Sequence, residues 1–300
     1  MQSRRLLVQP PADGVLWVTF WGVRGSIPTA GPEYQATGGN TACVEIRCGA
    51  HVLLFDAGTG VRKAGIALAR EGVTAFDIFL SHSHYDHIIG LPFFAPLFDP
   101  QAHGTIWSGH APSVATTRGI VEELLRPPFF PASPTMFRAS IAYKDFKAGD
   151  IIRPAAGIAI DTAQLDHPGG VIGYRVAFGG SAVAYLTDTG TRSEDANKAA
   201  LRLADRADMV IYDCMYTEEE APGRAEFGHS TWKQGAELCR TAKAKRLAMF
   251  HHAPDRDDAE VSALETAARS EFAGAFAARE GMQFSFSAKD ELLGAVASPS

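Results

Sequence analysis

The chain has 300 residues, of which 46% are hydrophobic and 10% are aromatic. This length and composition suit a folded protein with a sizeable core, and they exclude a disordered or low-complexity chain. The net charge of −6 at pH 7 is unfavourable for a protein whose main role is to coat nucleic acid, because neutralising phosphates requires a strongly basic surface.

The cysteines and the N-terminal segment restrict the class of protein further. Cys43, Cys48, Cys214 and Cys239 show no CxxC spacing, so we expect buried, reduced thiols rather than disulfides or zinc knuckles. Only three apolar residues follow the arginine pair near the N-terminus, which is too few for the core of a signal peptide, and no apolar run is long enough to span a membrane. We therefore expect a cytoplasmic protein without membrane contact.

Strands dominate the first half of the predicted structure. Apolar and charged residues alternate over residues 42–48, which is typical of a half-buried strand, whereas residues 51–55 form a nearly continuous apolar run that predicts a central strand. Further strands are predicted at residues 15–20, 76–80 and 105–107, and helices at residues 61–70 and 113–126.

The second half mixes strands with helices. Thr231-Trp232-Lys233-Gln234 has the form of a capping box and predicts the start of a helix. A hairpin-like turn is predicted at residues 147–150. Strands are predicted at residues 157–165, 171–178, 182–186, 209–212, 246–250 and 283–286, and helices at residues 194–206, 231–242 and 259–279.

The order of these elements predicts the fold class. Strands come in runs, with helices between some of them and without a strict βαβ rhythm. This order favours an α/β fold in which two mixed β-sheets pack face to face, with helices on the outside. We expect a single domain over residues 1–300, with flexible ends at residues 1–14 and 294–300.

A cluster of metal-ligand residue types follows the predicted strand at residues 76–80. Three imidazoles and a carboxylate fall within His82-Ser83-His84-Tyr85-Asp86-His87. Imidazole nitrogen and carboxylate oxygen are ligands that zinc and similar divalent ions prefer. The alternative is a histidine-rich surface loop, but four such groups next to a buried strand favour a metal site.

Three further strands end in residues of the same types. His167, Asp188 and the pair His251-His252 each follow an apolar run. A single Asp or His after a strand is often only a turn former or a helix cap, but repeated occurrence favours a common site. Seven ligands suffice for two divalent ions with a shared carboxylate, an arrangement suited to hydrolysis. They are His82, His84, Asp86, His87, His167, Asp188 and His251.

This pattern resembles the metallo-β-lactamase superfamily of metal-dependent hydrolases. The resemblance rests on His82-x-His84-x-Asp86-His87-x-x-Gly90-Leu91, followed in order by His167, Asp188 and His251. It implies an αββα sandwich. It also implies one ion on His82, His84 and His167, a second on Asp86, His87 and His251, and Asp188 as the bridge. We expect zinc, although manganese or iron suits the same ligands.

A second motif resembles one branch of that superfamily. Gly228-His229-Ser230-Thr231 is similar to a segment of the tRNA 3′-processing ribonuclease Z branch and of related phosphodiesterases. There the histidine donates a proton to the leaving oxygen, which implies a catalytic role for His229. Asp213 lies where that branch carries a carboxylate that orients the histidine, and Asp86 completes the catalytic candidates. The alternative for His229 is a residue that merely precedes a helix cap.

Two glycine-containing loops near the N-terminus suggest substrate contacts. Residues 21–28 and 38–41 are similar to loops in stand-alone members of the superfamily that act on cyclic nucleotides or other small phosphodiesters. Glycines there would let backbone N–H groups approach a phosphate, whereas the alternative is a loop that packs under Trp21. The candidate substrate contacts are Arg24, Asn40, Thr41 and His252.

The sequence therefore predicts a phosphodiesterase for a small-molecule phosphodiester, with a cyclic nucleotide as first choice. A tRNA 3′-processing endonuclease is the alternative, and the acidic charge and the lack of an extended Gly/Pro-rich insertion count against it. A non-catalytic metal-binding sensor module is a third possibility. We expect no stable complex with nucleic acid, and a homodimer through the apolar Pro127–Pro134 loop.

Overall fold

The structure is a computed structural model that describes residues 14–110, 115–131 and 133–287. The segment 294–300 and nearly all of the segment 1–14, both predicted to be flexible, lie outside these residues. In chain order the strands are β1 (Leu16–Gly22), β2 (Cys43–Cys48), β3 (His51–Phe55), β4 (Ala75–Leu80), β5 (His103–Ser108), β6 (Ser140–Asp145), β7 (Ile151–Ile152), β8 (Ala159–Leu165), β9 (Val171–Phe178), β10 (Ser181–Leu186), β11 (Met209–Asp213), β12 (Leu247–Phe250), β13 (Ala275–Ala277) and β14 (Gln283–Phe286).

These strands form two mixed sheets of seven strands each. The first has the spatial order β14-β1-β2-β3-β4-β5-β6, and the second has the order β13-β12-β11-β10-β9-β8-β7. The pairings from β3 to β6 and from β10 to β13 are parallel, and the others are antiparallel. The parallel halves bring several strand carboxyl ends to one edge of the fold.

An aromatic core joins the inner faces of the two sheets. Phe55 stacks on Phe79 with ring centroids 5.3 Å apart, and Tyr174 from the second sheet meets Phe55 edge-on at the same distance. The rings of Tyr185 and Phe250 pack beside them, with their centroids 5.7 Å apart. Burying these rings is the main source of stability in such a layer, because each removes a large apolar area from water.

Helices cover both outer faces. One outer core packs α1 (Val61–Glu71) against the first sheet, near α2 (Tyr85–Ile88) and α3 (Thr117–Leu124). Another packs α4 (Glu194–Ala204), α5 (Trp232–Thr241) and α6 (Asp258–Glu271) against the second sheet. The layers thus run helix, sheet, sheet, helix, and the predicted fold class is confirmed.

Some elements of the structure differ from the prediction. The helix expected over residues 259–279 ends at Glu271, and the chain then forms β13. Gly274 allows this change, because a Cβ there would lie 2.3 Å from the carbonyl oxygen of Lys245. Strand β6 was not predicted, since it is a mostly exposed edge strand without a clear apolar alternation. Its backbone pairing with β5 stabilises it instead.

The expectations for the cysteines, for membrane-spanning helices and for the helix at residues 113–126 can be compared with the structure. All four cysteines are buried and free of disulfides, as predicted. No helix in the described ranges is both long and apolar enough to cross a membrane. The helix predicted at residues 113–126 begins at Thr117 in the structure. The side chain of Thr116 caps it by accepting a hydrogen bond from the N–H of Gly119. Residues 113 and 114 lie outside the described ranges.

Candidate metal centre

The seven predicted ligands meet at the edge where strand carboxyl ends converge. His82 follows β4, His167 follows β8, Asp188 follows β10 and His251 follows β12. Asp188 and His251 adopt left-handed backbone conformations, with φ of 49° and 60°. That conformation is uncommon for residues other than glycine, and such strain concentrates at functional sites.

Three histidines form the first cluster. The ligand atoms of His82, His84 and His167 all lie within 4.8 Å of one another. Nδ1 of His84 lies 3.2 Å from Nε2 of His167. His84 is the exposed member of the cluster, so the cluster opens to solvent on its side.

Two histidines and two carboxylates form the second cluster. Nε2 of His87 lies 3.3 Å from Nε2 of His251. Both nitrogens lie 3.2 Å from Oδ2 of Asp86 and 3.2 Å from Oδ1 of Asp188. Four donor atoms therefore converge from four side chains, all of them buried.

Asp188 belongs to both clusters. Its Oδ1 faces His87 and His251 at 3.2 Å, whereas its Oδ2 lies 3.8 Å from Nε2 of both His82 and His167. One carboxylate thus presents a different oxygen to each group of histidines. This is the geometry that a bridging ligand requires.

The chemistry of the donor set fits bound cations. Nε2 of His82 is buried and has no hydrogen-bond partner among the described residues, although a buried polar atom normally has one. Burial lowers the pKa of His82 and His167, which favours the neutral imidazole that binds metal. Burial would also lower the pKa of His87, but Asp188, Asp86 and Asp56 outweigh it and raise that pKa well above its usual range. Positive charge at this end of the site is therefore stabilised.

Asp56 orients the ligands, and the sequence analysis missed it. It directly follows the apolar strand β3, which ends at Phe55, and this position after a buried strand was the available signal. Its Oδ2 accepts hydrogen bonds from Nδ1 of His87 at 2.7 Å, from Ser81 at 2.8 Å and from Tyr185 at 2.7 Å. Ser81 in turn contacts Nδ1 of His82 at 3.0 Å. Such bonds leave Nε2 of both rings directed into the site.

His229 and Asp213 form a pair beside the two clusters. Nδ1 of His229 lies 2.8 Å from Oδ2 of Asp213, a buried carboxylate that ends β11. The N–H groups of Thr189 and Met215, each at 3.1 Å, hold that carboxylate in place. The His229 ring stacks on His251 with centroids 5.1 Å apart. The imidazole is thus fixed next to the second cluster.

The environment of His229 favours its protonated form. Burial would lower the pKa of His229, but the charge and hydrogen bond of Asp213 outweigh burial and raise it to about 9. Asp188 and Asp86 add to this shift, although bound cations would offset their charge. A protonated imidazole at neutral pH is suited to donate a proton.

The four candidate substrate contacts have structural partners behind the site. Arg24 is fully buried and donates hydrogen bonds to the carbonyl oxygens of Gly38, Ala253 and Arg256 at 2.6 to 3.1 Å. The other three are also engaged: Asn40 with Glu280, Thr41 with Thr59, and His252 with the carbonyl of Ala278. The Arg24 guanidinium thus ties loops together in this structure. Contact of these four residues with a substrate stays a prediction.

The loop at residues 21–28 instead supports the predicted metal ligands. The N–H of Ser26 donates to Oδ2 of Asp86 at 2.7 Å. A Cβ on Gly25 would lie 2.5 Å from the His251 ring, so this glycine allows close packing on a ligand. The glycine at this position therefore has a structural role beside the clustered side chains.

Comparison with known proteins identifies the family. A family model described as the β-lactamase superfamily domain matches residues 51–252, which include all seven clustered ligands. The chain belongs to this superfamily. Its membership agrees with the motif order and with the αββα layers.

Sequence relatives of this superfamily member extend over nearly the whole chain. Ribonuclease Z of Natronomonas pharaonis is 24% identical over 314 residues, covering 89% of this chain and 96% of the relative. Other ribonucleases Z match over similar lengths. The prediction of a metal-dependent hydrolase is confirmed.

Solved structures of the superfamily share the fold. The metallo-β-lactamase fold protein YhfI from Bacillus subtilis has a TM-score of 0.69 at 19% identity, with 91% of this chain and 99% of YhfI covered. The short form of human tRNase Z has a TM-score of 0.63 at 19% identity, with 89% and 98% covered.

These comparisons correct the predicted substrate class. A small-molecule phosphodiesterase, with a cyclic nucleotide as first choice, was the main prediction, but the near-full-length relatives are ribonucleases Z. The expectation of a small-molecule partner without nucleic acid was wrong for the same reason. Net charge is a poor guide to the substrate class, because it averages over the whole surface and does not describe the substrate face.

Proposed function

We propose that this protein is a tRNA 3′-processing endonuclease of the ribonuclease Z type. The observation that carries the proposal is the match to ribonucleases Z over about nine-tenths of the chain. The His229–Asp213 pair beside the clustered ligands supports it, because cleaving an RNA phosphodiester requires protonation of a poorly leaving alkoxide oxygen.

The proposal includes two divalent ions, with zinc as first choice. His82, His84 and His167 would hold one ion, Asp86, His87 and His251 the other, and Asp188 would bridge them. Such a pair of ions supplies water activation at neutral pH and neutralises charge that develops on the phosphate. The His/Asp donor set suits zinc, and metal analysis of the purified protein tests both identity and number.

The residues of this chain would divide the remaining work. His229 carries the proton for the leaving oxygen on Nε2, since Nδ1 is engaged by Asp213. Asp213 keeps the ring oriented and stabilises its charged form. Asp56 and the Gly228 carbonyl, which accepts from Nδ1 of His167 at 2.9 Å, orient the ligand imidazoles.

One substrate panel tests this function. Metal-replete protein is incubated with a precursor tRNA that carries a 3′ extension, with the mature tRNA and with cyclic nucleotides, and the products are mapped. We expect a cut that removes the 3′ extension, while mature tRNA and cyclic nucleotides persist. Hydrolysis of a cyclic nucleotide with an intact precursor would refute the proposal.

The homodimer is a separate proposal. Its support is the exposure of Phe129 in the Pro127–Pro134 loop, where 80% of that side chain is open to solvent. Light scattering after size exclusion measures the mass directly. A mass near 32 kDa, that of one chain, would contradict it.

A further inference from the structure

Exposed apolar side chains gather around the candidate metal centre. Seven large hydrophobic residues in the described part of the chain are strongly exposed. Six of them lie on segments joined to the clustered side chains through the chain or through a contact. The exception is Ile151, on the short strand β7. Single exposed hydrophobics are ordinary, whereas a group on one face marks a binding surface. We call the six the apolar rim: Ile27, Tyr85, Ile89, Phe93, Phe129 and Phe227, which are 42% to 80% exposed.

One side of the rim continues from the ligand motif. Tyr85 lies between the ligands His84 and Asp86 in the chain. The N–H of Ile89 donates to the carbonyl of Tyr85 at 2.8 Å, so these side chains are one helical turn apart and share a face. Phe93 follows four residues later, and its ring meets that of Phe130 edge-on at 6.1 Å. That contact brings the loop with Phe129 next to this row.

The other side of the rim adjoins different ligands. Ile27 follows Ser26, whose N–H donates to Asp86. Phe227 precedes Gly228, whose carbonyl accepts from His167. Exposed apolar groups therefore flank the site from α2, from the loop at residues 21–28 and from the segment before His229.

The composition of the rim indicates what binds there. Four of its six members are aromatic, and flat aromatic rings are the surfaces on which unpaired nucleobases stack. Stacking contributes about 1 to 3 kcal/mol per base and needs no positive charge. This suits a patch whose six exposed members carry no charge.

We propose that the apolar rim binds unpaired nucleotides of an RNA substrate, next to the phosphodiester that is cleaved, by stacking their bases. The position of the cut rests on the proposed function, whereas the stacking does not. A second copy of the chain is the competing occupant. The site opens to solvent at His84, beside Tyr85. A dimer that meets only at the Phe129 loop would leave this opening to the substrate, whereas a subunit seated over the whole rim would cover it.

Binding tests the rim without any cleavage. Fluorescence anisotropy measures the Kd of a labelled single-stranded RNA and of the same sequence in a duplex, for the wild-type protein and for Phe93→Ala, Phe129→Ala and Tyr85→Ala. We expect tighter binding of the single strand and a Kd about tenfold higher for each variant. Tyr85→Phe keeps a stacking ring and should bind like the wild type. Ile151→Ala, which removes an equally apolar exposed residue elsewhere, is the matched control.

Three outcomes would contradict RNA binding by the apolar rim. They are equal Kd values for wild type and variants, equal binding of duplex and single strand, and an equal effect of Ile151→Ala. A change in molar mass of the rim variants, with matching losses on RNA and on bis(p-nitrophenyl) phosphate, would assign the rim to a subunit interface instead.

Cleavage assays separate this proposal from the proposed function. If the protein binds single-stranded RNA through the rim but leaves a precursor tRNA intact, the proposed tRNA 3′ processing is wrong and RNA binding by the rim is supported. If it processes the precursor and the rim variants have an unchanged KM, RNA binding by the rim is wrong and tRNA 3′ processing is supported. When both hold, the variants raise KM for the precursor by about tenfold more than for bis(p-nitrophenyl) phosphate.

Discussion

Nδ1 of His229 lies 2.8 Å from the buried Oδ2 of Asp213, and the same histidine ring stacks on His251 of the second cluster. The pair therefore places a titratable imidazole at the wall of the candidate metal centre. Two residues 16 positions apart in the chain meet because β11 ends at Asp213 and α5 begins just after Ser230-Thr231.

Replacing His229 by alanine should reduce cleavage of substrates with a poor leaving group. We expect kcat on precursor tRNA to fall about 10²- to 10⁴-fold, because proton donation contributes that much. The loss on bis(p-nitrophenyl) phosphate should be much smaller, since nitrophenolate leaves without a proton. Metal content, measured by mass spectrometry of the metals, should be unchanged. Equal losses on both substrates would contradict the proton-donor role.

Replacing Asp213 by asparagine should separate orientation from charge. The amide keeps the volume of the carboxylate but removes the charge that raises the pKa of His229. The alkaline limb of the kcat profile, where a general acid loses its proton, should move to lower pH. A profile that superimposes on that of the wild type would show that Asp213 does not tune His229. Asp166→Asn is a control, because that carboxylate bonds to the N–H groups of Arg192 and Ser193 instead.

Replacing Asp56 by asparagine should weaken metal binding without removing a ligand. Its Oδ2 holds Nδ1 of His87 and the hydroxyls of Ser81 and Tyr185. Losing such support typically costs 10- to 100-fold in metal affinity, so we expect a loss of that size for zinc in competition with a chelator. Asp188→Asn should reduce affinity more, because both clusters lose a donor. If Asp56→Asn bound metal like the wild type, the orienting role would be wrong.

The buried histidine His110 should make stability depend on pH. Burial lowers its pKa to about 4, whereas an unfolded histidine titrates near 6.5. The unfolded state therefore binds the proton first, and the free energy of unfolding falls as the pH drops from about 6.5 to about 4, by at most about 3 kcal/mol. His110→Gln should flatten this part of the curve. Urea unfolding of both proteins at several pH values measures the difference, and parallel curves would exclude His110.

Removing the cap of α6 should destabilise the fold without affecting the site. The side chain of Asp257 accepts a hydrogen bond from the N–H of Glu260, and the side chain of Glu260 accepts one from the N–H of Asp257. Asp257→Ala should lower the free energy of unfolding by about 1 kcal/mol. The turnover number should not change. Asp257→Ser keeps a capping oxygen and should recover most of the loss, whereas equal stability of all three proteins would contradict the cap.

The sequence by itself determined the fold class and predicted which side chains cluster. The histidines of the motif and Asp188 follow apolar strands directly, and that pattern is local, so it is visible without coordinates. Strand β3 was predicted with its observed bounds, and the start of α5 was predicted from its capping box. The assignments of single ligands, the single domain and the cytoplasmic location stay predictions.

Only the tertiary structure decided which residues meet. It placed Nε2 of His251 3.3 Å from His87 and turned His252 to the carbonyl of Ala278, a choice that two adjacent histidines cannot reveal in sequence. It also buried Arg24 and brought Asp56 behind two ligands. These outcomes depend on contacts between segments tens to hundreds of residues apart. A local pattern specifies which side chains leave a strand, whereas packing of the two sheets decides what each side chain contacts.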